Sequence, residues 1–159
     1  MAAEPDIPIE DLPPKLAPGM RLIGLDLGSK TIGLALSDVS RSVATPLKTI
    51  KRTKFTTDVA ELMAAIEEHG VGAIVLGLPL NLDGTEGPRV QSTHAFARNL
   101  RKLTELPIVY WDERLSTAAV ERHLIEADAS RKRRGEVVDR MAAAYILQGA
   151  LDRLQHLGR

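Results

Sequence analysis

The chain has 159 residues, 44% of them hydrophobic and 26% charged, which is the balance of one soluble globular domain. It has no cysteine, so disulfides, thiolate zinc sites and cysteine nucleophiles are excluded and a cytoplasmic location is expected. The net charge is zero. We expect no membrane span, because the uncharged run in the middle of the chain is too short to cross a bilayer, and no signal peptide, because the first residues lack a basic start followed by an apolar run.

The charge is unevenly distributed along the chain. Residues 1–20 carry four acidic side chains and one lysine, a net charge of −3, and are interrupted by five prolines. They have neither strand nor helix periodicity, so a disordered acidic tail is predicted, followed by a single domain over residues 21–159. The basic residues of that domain concentrate in residues 21–56 and 131–134. Such clusters suit a phosphate backbone as partner, although a solvated surface explains them equally.

The first half of the domain predicts an antiparallel meander followed by a helix. Residues 21–27, 31–37 and 43–50 have the apolar content and turn boundaries of three strands with short connections. A helix is predicted over residues 55–69, and Gly70 ends it.

The middle of the domain alternates between strands and helices. An apolar run over residues 73–78 predicts a strand that is covered on both faces. A loop over residues 79–88 follows. A helix is then predicted over residues 89–104 and a short buried strand over residues 108–111.

Two further helices are predicted near the carboxyl terminus. Ser116 or Thr117 caps a helix that runs to about residue 127. A basic loop over residues 128–134 precedes the last helix, which covers residues 135–156.

This order of elements predicts an α/β fold. A three-stranded antiparallel meander followed by α/β units implies a five-stranded mixed sheet with helices on both faces. Right-handed crossovers place the fourth and fifth strands parallel to the first, which becomes the central strand. Ligand sites in open α/β sheets lie outside the carboxyl ends of the strands, so the functional site is predicted at this edge.

Three carboxylates are predicted to meet at this edge. Asp26 lies near the end of an otherwise apolar central strand, where an acid is costly to bury unless it is paired or binds metal. Glu113 follows the last strand, with Asp112 as a rival because one residue of register exchanges the two faces. Asp139 lies at the edge of the apolar stripe of the last helix. Each acid taken alone also fits a capping or surface role.

Together the three acids predict a metal site. Unneutralised carboxylates would repel one another, and oxygen ligands without histidine or cysteine favour Mg²⁺ or Mn²⁺. Two such ions can activate a water and stabilise the leaving oxygen of a phosphodiester. The four histidines have no ligand spacing. The segment 24–31 falls short of a nucleotide-binding Walker loop because Ser29, not glycine, precedes Lys30.

Several motifs, in order and at fitting spacings, resemble the YqgF family over about residues 21–157. They are Gly24-Leu25-Asp26-Leu27-Gly28 with Ile32-Gly33, Ala44-Thr45-Pro46-Leu47, Gly77-Leu78-Pro79 with Asp83-Gly84, Asp112-Glu113-Arg114-Leu115-Ser116, and Val138-Asp139 through Ala142-Ala143 to Ile146-Leu147-Gln148. Members of this family are bacterial ribonuclease H-like nucleases, described first as Holliday junction resolvases and later as nucleases that mature the 5′ end of precursor 16S ribosomal RNA.

The resemblance implies a function and a site. Asp26, Glu113 and Asp139 match the three acidic catalytic positions of the family, and dependence on Mg²⁺ or Mn²⁺ is implied with them. The acidic tail lies outside the resemblance. The implied substrate is precursor ribosomal RNA, with branched DNA as the alternative, and the protein is expected to be a monomer or a homodimer.

Further residues are candidates for holding the nucleic acid. The strongest are the consecutive basic residues just before the helix that bears Asp139, namely Arg131, Lys132, Arg133 and Arg134. Lys30 could contact a phosphate, and Ser116 could contact substrate as well as cap a helix. Two other functions stay open at this point: a non-catalytic RNA-binding module of ribosome assembly, and a nucleotide-binding fragment of the kind found in actin-like and sugar-kinase ATPases.

Overall fold

A computed structural model describes residues 7–115 and 131–158 of the chain, and for residues 131–140 it describes the helical backbone alone. Within these residues, no helix combines the length and the apolar character that crossing a bilayer requires.

The centre of the molecule is a five-stranded mixed sheet with the order β3-β2-β1-β4-β5. Its strands are β1 (Arg21–Leu27), β2 (Thr31–Ser37), β3 (Ala44–Lys51), β4 (Val71–Leu78) and β5 (Ile108–Asp112). The first three form an antiparallel meander, and β4 and β5 run parallel to β1. The predicted sheet, with β1 at its centre and the meander on one side, is confirmed.

Three helices of the described residues cover the sheet: α1 (Phe55–His69), α2 (Pro88–Arg101) and α3 (Arg131–Leu157). Gly70 ends α1 as predicted, in the left-handed conformation with φ of 64°. The second helix ends three residues before the predicted Thr104, because the N–H groups of Lys102 and Leu103 turn back onto the carbonyls of Asn99 and Leu100.

The last helix starts earlier than the sequence predicts. The prediction of a loop over residues 128–134 is wrong for residues 131–134, because α3 begins at Arg131 and runs for 27 residues. Arginine and lysine are good helix formers, and Gly135 inside a helix costs only about 1 kcal/mol relative to alanine. The helix predicted over residues 116–127 and the first part of the basic loop lie outside the described residues.

The two faces of the sheet carry separate cores. Side chains of α1 and α2 pack on one face, around Ile23, Leu25 and Ile74. Helix α3 packs on the other face, where Leu147 and Ile146 meet β1 and β4. Helices on both faces are therefore confirmed.

Two glycines allow α3 to lie unusually close to the sheet. A Cβ atom on Gly24 would lie 2.8 Å from Cβ of Leu147 and 3.0 Å from the carbonyl oxygen of Ala143. A Cβ atom on Gly77 would lie 2.5 Å from Cδ1 of Ile146. A larger residue at Gly24 would displace the helix, whereas one at Gly77 would require the end of the Ile146 side chain to move.

Helix α3 runs antiparallel to β1 across this face. Gln148 donates to the carbonyl of Ser42 (2.9 Å) and accepts from the N–H of Ala44 (2.8 Å), where β3 begins. The start of β3 lies at the amino end of β1, since β2 runs back to it. The amino-terminal half of α3 therefore points to the carboxyl end of β1.

Residues 7–20 pack against the domain, whereas the sequence predicts a disordered tail. They contain two 3-10 turns, Ile9–Asp11 and Pro13–Lys15. Leu12 is fully buried, and the N–H of Ile7 donates to the carbonyl of Ile108 in β5 (3.3 Å). The prolines prevent a long helix, yet the apolar residues between them still reach the core on the α3 side.

Leu12→Ala should lower the free energy of unfolding by about 2–5 kcal/mol, because it removes a fully buried side chain and leaves a cavity. Leu82→Ala is the matched control, since Leu82 is 94% exposed and its loss should change stability by less than about 0.5 kcal/mol. Urea unfolding followed by circular dichroism measures both. Equal stability of the two variants would mean that this segment does not belong to the folded domain.

Candidate active site

Asp26 lies buried at the carboxyl end of the central strand. Its side chain is 2% exposed, although both flanking residues are leucine. Side chains alternate along a strand, so Asp26 shares the α3 face with Gly24. It also lies one residue beyond the Leu25–Leu76 register pair and is therefore level with Gly77 of β4.

Glu113 brings a second buried carboxylate to the same place. It is 6% exposed and begins the 3-10 turn Glu113–Leu115, directly after β5. Its Oε2 atom lies 3.4 Å from the position that a Cβ atom on Gly77 would occupy. Gly77 and Asp26 are neighbours on adjacent strands, about 4.8 Å apart across the sheet. The structure therefore brings two of the three predicted acids together.

Asp112, the rival of Glu113, has a different partner. Its carboxylate receives hydrogen bonds from the Arg114 guanidinium, with Nε at 3.1 Å from Oδ1 and Nη2 at 2.7 Å from Oδ2. The backbone N–H of Arg114 donates to the same carboxylate (2.9 Å). The side-chain hydrogen bonds from Arg114 hold the pKa of Asp112 below its ordinary value of 3.8. Arg114 thus pairs with Asp112.

Arg114 also reaches the loop that follows β4. Its Nη1 donates to the carbonyl of Leu82 (3.5 Å) and would lie 3.2 Å from a Cβ atom on Gly84. Gly84 has a φ of 87°, which favours glycine. Within this loop Asp83 accepts from the hydroxyl (2.6 Å) and N–H (2.9 Å) of Thr85, and these bonds hold its pKa below 3.8. Asp83 is thus a turn residue, and Arg114 fastens the turn to the end of β5.

Asp139 is described through its backbone alone, as part of α3. The carbonyl of Ala143 faces Gly24, and Asp139 lies one helical turn earlier, about 6 Å nearer the carboxyl end of β1. Asp26 lies two strand residues beyond Gly24, about 6.6 Å in the same direction. The backbone at Asp139 is therefore level with Asp26. Among the residues whose side chains are described, no three acids or histidines form a cluster that could hold a metal.

The predicted nucleic-acid contacts are only partly described. Lys30 is exposed in the turn between β1 and β2. Residues 131–134 form the start of α3, at the same end of the sheet as Asp26, and their side chains are not described. Ser116 lies outside the described residues.

Two arginines that the sequence did not single out hold the β1–β2 turn. Nη1 of Arg52 donates to the carbonyl of Gly28 (2.7 Å), and Nη2 of Arg89 donates to the carbonyl of Leu27 (3.3 Å). Arg52 belongs to the basic segment 21–56, but only the tertiary structure brings Arg89, at the start of α2, to the same turn.

Comparison with known proteins identifies the family to which this chain is similar. A sequence model of the RuvX family, described as Holliday junction resolvase, matches residues 20–153. A protein of Rhodobacter capsulatus is 66% identical over 138 residues (87% of each chain), and one of Methylocella silvestris is 60% identical over 157 residues (99% of this chain, 97% of the relative). Both relatives carry the name "Putative pre-16S rRNA nuclease".

Solved structures with the same architecture are also found. RuvC of T. thermophilus in complex with a Holliday junction substrate has a TM-score of 0.53 at 14% identity, covering 86% of this chain and 96% of its own. The yeast mitochondrial Holliday junction resolvase Ydc2 has a TM-score of 0.53 at 14% identity, covering 94% and 84%. At this identity the likeness is one of fold, and it confirms the predicted ribonuclease H-like architecture.

Arg114→Gln should raise the pKa of Asp112 towards 3.8, because its hydrogen bonds are the largest cause of the lowered value. A lowered pKa in the folded state stabilises the fold above the unfolded-state value and loses this effect as the pH falls through the folded-state value. The stability difference between wild type and Arg114→Gln should therefore be present at neutral pH and shrink in acid. Titration of the Asp112 carboxyl carbon by NMR measures the pKa, and an unchanged value in the variant would contradict the pairing.

Proposed function

Because the chain belongs to the RuvX family of Holliday junction resolvases, we propose that it is a metal-dependent nuclease that hydrolyses phosphodiester bonds, with Asp26, Glu113 and Asp139 as its metal-binding acids. The observation that carries this proposal is the juxtaposition of two buried carboxylates, Asp26 and Glu113, at the carboxyl edge of one sheet.

Burial of these two acids carries an electrostatic cost. An ionised carboxylate loses favourable hydration when it is buried, and two that approach each other repel. A divalent cation removes both penalties. The described donors are oxygens, the chain has no cysteine, and His94 lies elsewhere, between Tyr110 and Glu86. This donor set fits Mg²⁺ or Mn²⁺.

The third acid is supplied by α3 in this proposal. Its backbone is level with Asp26, and the close approach of the helix at Gly24 limits how far it can move from the sheet. A bound divalent cation would supply an activated water and would stabilise charge on the leaving oxygen.

The surrounding residues keep the acids in position. Asp26 lies on a strand that is paired on both sides, by β2 and β4. Glu113 lies between Asp112 and Arg114, whose ion pair fixes the backbone on either side of it. Partners that orient metal ligands commonly contribute 10- to 100-fold to activity or metal affinity. We therefore assign Arg114 a positioning role.

The substrate we propose is the 5′ end of precursor 16S ribosomal RNA. Relatives at 60–66% identity carry the name "Putative pre-16S rRNA nuclease". The two solved structures whose titles name a Holliday junction share only 14% identity with this chain. The description of the family model favours a second candidate, resolution of branched DNA. Cutting two strands of a symmetric junction in concert would require a symmetric dimer.

Purified protein should cleave precursor 16S ribosomal RNA in the presence of Mg²⁺ or Mn²⁺. Asp26→Asn, Glu113→Gln and Asp139→Asn should each lower the cleavage rate by at least about 100-fold, more than is typical for residues that only orient metal ligands. Glu105→Gln is the matched control, since it neutralises an exposed carboxylate just before β5, at the opposite edge of the sheet, and it should retain the activity. A four-way DNA junction assayed in parallel separates the two candidate substrates.

Each outcome of this assay has a clear meaning. Full activity in all three acid variants would refute the catalytic assignment. Preference for the junction over the RNA would replace the first substrate with the second. Cleavage of neither, with tight binding of RNA in every variant, would support a non-catalytic binding module.

Metal binding should also be visible in stability. Mg²⁺ or Mn²⁺ at 100 times its dissociation constant should raise the free energy of unfolding by about 2.7 kcal/mol. The increase should disappear in Asp26→Asn and persist in Glu105→Gln. Denaturation with added metal or with EDTA measures this effect without any substrate. Equal metal-dependent increases in the two variants would show that the ion binds elsewhere.

A further inference from the structure

We propose that the exposed basic residues Lys30, Lys51, Arg52 and Arg89, here called the basic rim, bind phosphates of the polynucleotide on the β2–β3 side of the acids. This inference rests on the proposed nuclease function and deepens it by naming a second substrate-binding surface. The basic residues at the start of α3 lie on a different element.

The basic rim lies at the same edge of the sheet as Asp26. Lys51 ends β3 and is the register partner of Thr31, the first residue of β2. The N–H of Arg52 donates to the carbonyl of Lys30 (2.9 Å), so the end of β3 is fastened to the β1–β2 turn. All four side chains of the rim are exposed.

Lys51 also lies on the same face of the sheet as Asp26. Asp26 is paired with Gly33, and Gly33 with Thr49, so these three positions share one face. Lys51 is two residues beyond Thr49 and returns to that face. Two strand spacings across and two residues along put its backbone roughly 12 Å from that of Asp26. When one phosphodiester of a strand lies at the acids, a long lysine side chain at this position can bind a neighbouring phosphate of the same strand.

The two arginines of the rim are held in place by the backbone. Arg52 donates to the carbonyl of Gly28 and Arg89 to that of Leu27. A guanidinium has five N–H donors, so each arginine keeps donors for a phosphate while one of them is anchored. Anchoring reduces the conformational entropy that would be lost when the nucleic acid binds.

The charge of the rim is not balanced within the protein. No ion pair in the described part of the chain joins its four residues to a carboxylate. By contrast, Lys48 pairs with Glu61 (3.3 Å) and Arg114 with Asp112 (2.7 Å). The nearby Asp58 is buried and accepts from the N–H and hydroxyl of Thr53. A polyanion is therefore the partner that this surface fits, and its position at the same edge of the sheet as the proposed catalytic acid favours nucleic acid over an acidic protein.

The test compares two double variants that lose the same charge. Lys30→Gln with Lys51→Gln alters the rim. Lys48→Gln with Lys102→Gln alters a half-buried lysine on the same strand but the opposite face, and an exposed lysine just after α2. Both are made in full-length protein carrying Asp26→Asn, so that the probe is not cleaved. Binding of a fluorescent single-stranded 20-nucleotide RNA, and of DNA with the same sequence, is measured by anisotropy between 50 and 200 mM KCl.

The rim variant should bind roughly 10- to 30-fold more weakly at 0.1 M salt, and its slope of log K against log salt should fall by about 1.4, the value for two single-strand phosphate contacts. RNA and DNA should lose equal affinity, because the phosphate is common to both. The control variant should keep the slope of the parent. Thermal melts that match the parent show that the variants are folded.

The outcomes distinguish this inference from the proposed function. An unchanged slope in the rim variant overturns the inference, even when the protein with its acids intact cleaves RNA. A reduced slope together with absence of cleavage by the wild type supports the rim and refutes the nuclease. Equal losses in rim and control variants also overturn it, since the effect would then reflect net charge alone.

Discussion

The close contact between α3 and the sheet is the constraint on which the rest of the structure depends. Gly24 leaves no room for even a methyl group between β1 and the helix, and a methyl group on Gly77 of β4 would collide with the end of the Ile146 side chain. Dense packing of this kind fixes the height and the direction of the helix together. Gly24 lies two residues before Asp26 on the same face, and Gly77 lies level with Asp26 and beside Glu113, so the same contact that closes the core also defines the floor of the candidate site.

The candidate site combines rigid and fastened parts. Asp26 inherits the rigidity of a central strand, while Glu113 lies just past the end of β5 and depends on the Asp112–Arg114 pair beside it. Arg114 extends this connection to the loop after β4, and Arg52 and Arg89 secure the turn after β1. Three loops at one edge are thus held by arginines that donate to carbonyl or carboxylate oxygens. Such preorganisation is what a site for phosphoryl chemistry needs.

Much of this architecture could be read from local sequence patterns, and the exceptions have physical reasons. Strands β1 and β2 and helix α1 have clear periodicity and end at glycine or turn signals, so their bounds were predictable. The choice between Asp112 and Glu113 depends on where Arg114 points, which no periodicity encodes. Residues 7–20 have a tail-like composition, yet Ile9 and Leu12 are buried and attach this segment to the core. Arg89 is 62 residues from Leu27, the carbonyl to which it donates, so only the folded structure brings the two together.

The amino-terminal segment has a further consequence for the free edge of β5. Strand β5 is the last of its sheet, and an open edge offers unpaired backbone groups to any other extended chain. The hydrogen bond from Ile7 to Ile108 occupies part of that edge with the protein's own backbone. A chain beginning at residue 21 would lack this hydrogen bond. The amino-terminal segment therefore reduces what this edge offers to another extended chain, and its prolines make it a poor template for adding a further strand.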